Sequence, residues 1–218
     1  MSGENCAPSA DCALCPRLAA FLKAQRRAHP DWFNAPVPPF GPPDARLAII
    51  GLAPGLRGAN RTGRPFTGDY AGDLLYSSLI RHGFAQGTYE ARPDDGLVLK
   101  DAVIINAVRC VPPQNKPTTA EIRTCNRFLA CEFKARRPLR AILALGKIAH
   151  DATLMAHGLV RARWKFAHGA RHVLPCGHVL HDSYHCSRYN TQTGRLTPQM
   201  FHAVLAAIRS ELASPAAS

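Results

Sequence analysis

Short runs of consecutive apolar residues alternate along this chain with longer segments whose apolar residues recur at helical spacing. Runs of the first kind are typical of strands buried on both faces in a parallel sheet. They occupy residues 46–50, 102–108 and 141–145, and residues 173–180 have the pattern of a further strand or hairpin. Segments of the second kind predict helices at 12–28, 72–82, 119–135, 147–157 and 198–213. The alternation predicts an α/β fold, a three-layer αβα sandwich around a mostly parallel sheet.

Three polar segments follow predicted strands, at 51–69, 106–113 and 185–190. Ligands of open parallel sheets bind at the carboxyl ends of the strands, so these segments are expected to meet at one edge. The first is the most informative, because a glycine-rich stretch studded with arginines follows an apolar run. Glycines in such a turn let the backbone approach an anionic ligand closely. We therefore expect the functional site at this edge.

The 218 residues suit a single domain, at roughly 100–200 residues per domain. We expect one unit over 1–218, with the proline-rich stretch 35–43 wrapping into the sheet and 214–218 forming a frayed tail. Residues 1–10 are polar, and no apolar run approaches the roughly 18 residues that cross a bilayer. These features predict a soluble, cytoplasmic protein without a membrane partner. We further expect it to be a monomer that acts at the bacterial nucleoid.

The charge balance is strongly basic, with 27 Lys and Arg against 15 Asp and Glu and a formal net charge of +12. Such an excess favours polyanionic partners, nucleic acid first. The alternative explanation of the positive charge is a general compositional bias towards arginine and alanine. The turn that carries Arg188, Tyr189 and Arg195 can enter a groove or hold phosphates.

Eight cysteines in a reducing compartment indicate metal or redox roles before structural disulfides. Four are spaced as potential ligands of one tetrahedral ion or an iron–sulfur cluster: Cys12, Cys15, Cys110 and Cys125. The spacing alone does not separate zinc from [4Fe–4S], and small buried apolar thiols are the alternative. Cys6 and Cys131 compete as ligands, while Cys176 and Cys186 have the pattern of ordinary or site-lining thiols.

Four further residues can support chemistry on a planar ligand. Asp69 can polarise water, although Asp also caps helices, and Phe66 can stack on a ring, although such an aromatic is often core. Asn106 can pair with the edge of a heterocycle or satisfy loop backbone. His185 can donate a hydrogen bond to an oxygen that gains charge. The chain lacks both the Walker A pattern and Gly-x-Gly-x-x-Gly, so no nucleotide cofactor is expected.

Three blocks together resemble the uracil-DNA glycosylase superfamily, and within it the type b branch, family 5. The first block covers 51–69 and contains Gly-Ala-Asn-Arg-Thr-Gly-Arg at 58–64. The second covers 106–118, from Asn-Ala-Val-Arg-Cys-Val-Pro-Pro to Asn-Lys-Pro-Thr. The third covers 183–197, from Ser-Tyr-His-Cys-Ser to Asn-Thr-Gln-Thr-Gly-Arg-Leu-Thr. In order and spacing the blocks span nearly the whole chain.

The resemblance implies a four-stranded parallel sheet between helices and a [4Fe–4S] cluster held by Cys12, Cys15, Cys110 and Cys125. It implies that Phe66 stacks on a flipped base, Asn106 pairs with its edge and His185 contacts a carbonyl oxygen. Asp69 is the best catalytic candidate by resemblance, with Asp73 as the alternative. Backbone contacts to the base are expected at Gly51, Leu52 and Ala53. DNA contacts are expected at Arg61, Arg64, Ser187, Arg188 and Arg195.

The implied activity is hydrolysis of the N-glycosidic bond of uracil, and of other deaminated bases such as hypoxanthine, in double- or single-stranded DNA. One departure is Cys186, which stands where the family's third motif usually has proline after histidine. It can loosen the loop or place a thiol beside the site. The alternative function is a non-catalytic iron–sulfur module that binds damaged nucleic acid. A zinc deaminase would need His-x-Glu beside Pro-Cys-x-x-Cys, and the chain has neither.

Overall fold

The computed structural model describes residues 6–214 and contains one main sheet flanked by helices. The strands are β1 Leu47–Gly51, β2 Ala85–Gln86, β3 Val98–Leu99, β4 Ala102–Asn106, β5 Ala141–Leu145, β6 Arg171–Val173 and β7 Val179–Ser183. The helices are α1 Pro16–Ala28, α2 Ala59–Thr62, α3 Tyr70–Arg81, α4 Thr119–Ala135, α5 Lys147–Ala156, α6 Arg188–Gln192 and α7 Pro198–Ala213. None of these helices is long and apolar enough to cross a membrane.

The main sheet has five strands in the order β4-β1-β5-β7-β6. The first four are parallel, as expected, but β6 pairs antiparallel with β7 through Arg171↔His181 and Val173↔Val179. The expectation of a four-stranded sheet is therefore corrected to five strands. The reason is that residues 173–180 span the turn of a hairpin whose arms extend beyond them on both sides. A separate two-stranded ribbon, β2 with β3, was not predicted.

Alternate residues of each central strand face opposite layers of helix. Leu47 and Ile49 of β1 belong to a core with α3 and α7, whereas Ala48 and Ile50 belong to a core with α4 and α5. All five residues are buried in each of β1, β4, β5 and β7. This two-sided burial explains why β1, β5 and residues 102–105 of β4 are continuously apolar, whereas β7 ends in the buried polar residues His181, Asp182 and Ser183. The two cores confirm the αβα layering.

The proline-rich segment 35–43 lies along the outer edge of β4. Phe40 and Ile104 exchange backbone hydrogen bonds of 3.0 and 2.8 Å, and the Val37 N–H donates to the Arg109 carbonyl at 2.8 Å. The segment therefore occupies the edge that β4 would otherwise leave unpaired. The tail expected at 214–218 lies outside the described residues except for Ser214.

Helix ends follow local chemistry. Thr118 and Glu121 form a reciprocal capping box at the start of α4. Helix α1 begins at Pro16 rather than Cys12, since proline suits the first helical position and the preceding residues are not helical. One expectation about the cysteines is wrong, because Cys6 and Cys131 form a disulfide. An argument from compartment does not reveal which thiols the fold brings within bonding distance.

Candidate active site

A cavity of about 370 Å³ opens where β1, β4 and β7 end. Its lining comes from the loop after β1, the end of β4 and the turn after β7: Leu52, Ala53, Gly55, Ala59, Phe66, Asp69, Tyr70, Ala71, Asn106, Asn115, His185, Ser187 and Arg188. The three polar segments predicted to meet at one edge all contribute. Such a convergence of side chains at the carboxyl ends of parallel strands is a favourable ligand site.

Phe66 and Asn106 form one side of the cavity. Asn106 is the last residue of β4 and pairs in register with Gly51. A Cβ at Gly51 would lie 2.5 Å from the Asn106 Oδ1 and 2.8 Å from the Phe66 Cζ, so only glycine fits between them. Asn106 as a whole is 3% exposed. Among the described residues, none forms a hydrogen bond with its side-chain amide, which borders the cavity. A buried amide at a cavity wall with no protein partner is suited to hydrogen-bond a ligand.

The turn that carries Phe66 is held in a strained conformation. Phe66 has φ +55°, a left-handed value that is rare for a bulky residue. Its carbonyl accepts a hydrogen bond of 3.0 Å from the Tyr89 hydroxyl. The Arg64 Nε donates to the Thr67 Oγ1 at 2.6 Å from the other side of the turn. Strain maintained by surrounding bonds is common where a side chain must be placed for function.

Arg64 does not lie on the surface, and its predicted role in DNA contact is corrected. Its guanidinium forms two bonds of 2.8 and 2.7 Å with the Asp95 carboxylate. The rings of Phe40, Tyr76 and Tyr89 surround it at 5.3–5.8 Å. Only 5% of Arg64 is exposed. Buried arginine needs such a partner, and here the pair supports the Phe66 turn from beneath.

Asp69 lies at the N-cap position of α3, yet its side chain makes no capping bond to that helix. The carboxylate instead lies against the Cα atoms of Gly55 and Gly58, where any side chain would overlap it. Burial raises the pKa of Asp69 above its usual value, while the Ala59 N–H and Arg61 act in the opposite direction. Asp73, the alternative, is exposed and does not line the cavity.

His185 faces Phe66 across the cavity, with ring centroids 5.8 Å apart. Burial lowers the pKa of His185 to about 4, so its imidazole is neutral at neutral pH. A neutral ring retains one N–H and can still donate a hydrogen bond. The backbone is fixed by the Asn190 Nδ2, which donates to the His185 carbonyl at 2.8 Å.

Cys186 points away from the cavity. Its thiol is fully buried in the core that includes Leu196 and Phe201. Burial raises the pKa of this thiol to about 12, which makes it unreactive at neutral pH. The expected thiol beside the site is therefore absent at this position, and Cys186 acts as a small apolar residue.

The other four predicted DNA contacts divide into two that line the cavity and two that do not. Arg188 lines the cavity mouth and lies 5.0 Å above the Tyr70 ring, while Ser187 caps α6 through the Asn190 N–H at 3.4 Å. Arg61 and Arg195 are exposed but do not line the cavity. Arg195 lies 4.5 Å above the Tyr184 ring.

Several lining residues were not predicted: Gly55, Ala59, Tyr70, Ala71 and Asn115. For two of these residues, Tyr70 and Asn115, the sequence contained a feature that could have indicated a place at the site. Tyr70 directly follows Asp69 and begins α3, so a role for Asp69 at the cavity implies that Tyr70 is near its rim. Asn115 lies inside the second sequence block, and its Oδ1 accepts a hydrogen bond of 3.3 Å from the Leu56 N–H.

The four predicted metal ligands come together beside this site. Cys12, Cys15, Cys110 and Cys125 are free and line one narrow cavity with the apolar side chains of Leu18, Val108 and Phe128. Among the described residues, groups of three donors within 4.8 Å of one another include none of these cysteines. A single Zn²⁺ with bonds of about 2.3 Å would bring its sulfur atoms to about 3.8 Å. Four thiols in an apolar pocket at wider spacing fit a larger iron–sulfur cluster better.

Comparison with known proteins connects this geometry to one family. The sequence profile of the Uracil DNA glycosylase superfamily matches residues 38–209. The chain is 48% identical to a type-5 uracil-DNA glycosylase of Thermus thermophilus over 200 residues, covering 89% of this chain and 90% of that protein. It is 40% identical to a type-5 uracil-DNA glycosylase of Pyrobaculum aerophilum, covering 89% and 86%. A protein of the same description from Mycobacterium leprae is 42% identical, covering 87% and 86%.

Proposed function

The chain belongs to the uracil-DNA glycosylase superfamily, and we propose that the cavity at the end of its sheet receives a uracil flipped out of DNA. The protein is an enzyme that hydrolyses N-glycosyl bonds, a uracil-DNA glycosylase. The observation that carries the assignment of the cavity is the convergence of Phe66, Asp69, Asn106 and His185 on one space at the carboxyl edge of the sheet.

Base recognition uses a flat ring and a fixed amide. Phe66 stacks on the extruded base, and the Asn106 amide pairs with its polar edge, donor to acceptor and acceptor to donor. Gly51 supports this role because the absence of a Cβ leaves both side chains in place. The main chain at Leu52 and Ala53 lines the same space and contacts the base.

Bond cleavage leaves positive charge on the sugar and negative charge on the departing base. His185 donates a hydrogen bond to the carbonyl oxygen of the base, and its low pKa keeps it neutral while it does so. Asp69 positions the attacking water and offsets the positive charge of the sugar. Its close contact with Gly55 and Gly58 supports a fixed carboxylate.

DNA binding uses the rim of the cavity and the net charge of +12. Arg188 and its neighbours fill the space left by the extruded nucleotide, since this turn is exposed beside the cavity mouth. Ser187, Arg61 and Arg195 contact the phosphates on either side. The proposed location is the cytoplasm, which the similarity to a bacterial uracil-DNA glycosylase supports.

The substrate range extends to other deaminated bases. A cavity of about 370 Å³ leaves room for a purine such as hypoxanthine as well as for uracil. Extrusion costs least for mismatched or already single-stranded bases, which favours deaminated bases in duplexes and bases in single-stranded DNA. We propose a monomer, an assignment that the presence of all the proposed catalytic groups in one chain supports.

A [4Fe–4S] cluster is the cofactor that suits the four cysteines. Cys12 and Cys15 would hold it from the segment before α1, with Cys110 and Cys125 from the loop after β4 and from α4. When bound, the cluster would take no part in the hydrolysis, and its cysteine ligands would hold the loop that begins at Asn106 in place. The apolar pocket around the four thiols and their spacing support this assignment.

The test is cleavage of labelled duplexes that carry one uracil, one hypoxanthine or no damaged base, followed by alkali. Asp69→Asn is the variant, and Asp73→Asn is the matched control, since it removes the neighbouring exposed carboxylate. We expect breaks at uracil and hypoxanthine that are lost in Asp69→Asn and kept in Asp73→Asn. Strand breaks that persist in Asp69→Asn would mean that another group positions the attacking water. Binding without breaks in the parent protein would favour the damage-binding module.

A further inference from the structure

A second group of potential metal ligands lies at the other end of the sheet. His157 follows α5, and Cys176 and His178 belong to the turn between β6 and β7. One donor atom from each residue lies within 4.8 Å of the other two. We propose that His157, Cys176 and His178 form a site for one zinc ion or a similar divalent transition metal.

The hydrogen bonds of His157 prepare it as a ligand. Its Nδ1 lies 2.8 Å from the Thr153 carbonyl oxygen, which only accepts, so Nδ1 carries the proton. In the neutral ring the Nε2 therefore carries no proton, and its lone pair can accept a hydrogen bond or bind a metal. Metal-binding histidines commonly donate their other N–H to a backbone carbonyl in this way, which fixes both tautomer and orientation. The Phe133 ring packs against His157 with centroids 4.8 Å apart and holds it further.

The lone pair of His157 points at His178. The His157 Nε2 and the His178 Nδ1 are 3.0 Å apart, and without metal the second donates its proton to the first. An ion between the rings replaces that proton. Neutral His178 then carries its proton on Nε2 instead, so both rings remain neutral.

The turn between β6 and β7 places the Cys176 thiol near the two imidazoles. The Gly177 N–H donates to the Leu174 carbonyl at 2.9 Å and the Leu174 N–H to the His178 carbonyl at 2.8 Å. Gly177 takes φ +89°, a left-handed value that suits glycine and tightens the turn between Cys176 and His178. Cys176 is exposed, so an ion reaches it from solvent. On binding, the thiol forms a metal–sulfur bond and releases one proton to solvent.

Two imidazoles and one thiolate suit Zn²⁺ and leave a fourth position for water. Among the described residues, a comparable group is His150, His172 and Asp182. His150 and Asp182 are buried, whereas Cys176 is exposed, so an ion reaches the group of His157, Cys176 and His178 more directly from solvent.

The proposed metal site lies away from the catalytic groups and would stabilise the fold without taking part in cleavage. His178 directly precedes β7, and His185 lies two residues beyond its end, so the two are about 20 Å apart along the strand. A bound ion would join the end of α5 to the β6–β7 turn. We therefore expect the metal to raise thermal stability and to leave the cleavage rate unchanged.

The test is calorimetric titration of Zn²⁺ into the full-length protein as purified, under reducing conditions. Cys176→Ser and His178→Gln are the variants. His202→Gln is the matched control, because His82 and His202 form another close histidine pair, with Nε2 and Nδ1 3.2 Å apart. Cys176 is exposed, so its serine variant tests the site even if His178→Gln fails to fold.

We expect the parent protein and His202→Gln to bind one Zn²⁺ that both ligand variants bind at least about tenfold more weakly. The same ion should raise the melting temperature of the parent and of the control, but not of Cys176→Ser. Equal Zn²⁺ affinity in parent and Cys176→Ser, or no Zn²⁺ binding by the parent, would overturn the proposal.

Discussion

The position of the Asp69 carboxylate, as distinct from its charge, is tested by adding one methyl group at Gly58. Gly55 and Gly58 both lie against this carboxylate, and it has no room to stay in place beside a side chain. Gly58→Ala keeps Asp69 itself unchanged. The new Cβ overlaps the carboxyl group, so the Asp69 side chain must turn away from Gly58.

The size of the displacement follows from the neighbouring glycine. A Cβ at Gly55 would lie 2.5 Å from the Asp69 Oδ1, about 0.9 Å inside an ordinary contact of 3.4 Å. The overlap at Gly58 is deeper, so the carboxylate moves by roughly 1 Å or more. A displacement of that size in a group that positions a reactant costs about a hundredfold in rate.

The assay is single-turnover cleavage of a uracil duplex with enzyme in excess, which isolates the chemical step. Gly158→Ala is the control: it has φ +68° and no atom within 4 Å of a new Cβ, so it adds backbone strain far from the cavity. We expect a rate loss near a hundredfold in Gly58→Ala, little change in Gly158→Ala and similar DNA affinity in both. A Gly58→Ala enzyme that is folded and as fast as the parent would refute the role of Asp69 as a fixed group.

Four other outcomes are expected. Asn106→Leu leaves the base edge unpaired, so kcat/KM for uracil should fall roughly 10- to 100-fold, whereas affinity for undamaged duplex should not change. The pH–rate profile should have its acidic limb above pH 3.8, because burial raises the pKa of Asp69, and no inflection near 6.5, because the pKa of His185 is lowered to about 4. Neutral His185 also makes the free energy of unfolding decrease as pH falls from 6.5 towards 4, since the unfolded chain binds the proton first; urea titrations across that range check this. Asp95→Asn should cost about 3 kcal/mol in urea unfolding by leaving Arg64 buried without its counter-charge, and an unchanged midpoint would contradict it.

The layers and the edge that carries the site could be predicted because they depend on short-range patterns. Strands buried on both faces are continuously apolar, and β1, β4 and β5 lie within one or two residues of the predicted runs. The carboxyl edge follows from the parallel arrangement alone. Phe66, Asp69, Asn106 and His185 therefore meet where expected.

Features that depend on long-range pairing could not be predicted. Arg64 and Arg61 are alike in sequence terms, since both lie in the same polar turn. Only Arg64 reaches Asp95, which is 31 residues away and follows a loop with no strong pattern. The disulfide joins Cys6 to Cys131 across 125 residues. In each case local chemistry permits several partners, and the packing of the whole chain selects one.

At Cys186, burial of the side chain compensates for the loss of the proline that the family motif usually has at this position. Proline and cysteine differ in backbone freedom, so the sequence predicts a looser turn after His185. The structure compensates on both sides of the residue: the thiol is buried in the core, and the Asn190 amide bonds the His185 carbonyl at 2.8 Å. The ring of proline would restrain the turn through a fixed φ, whereas here side-chain packing and one amide restrain it. The His185 imidazole is therefore positioned by the burial of Cys186 and by the Asn190 amide, neither of which the motif predicts.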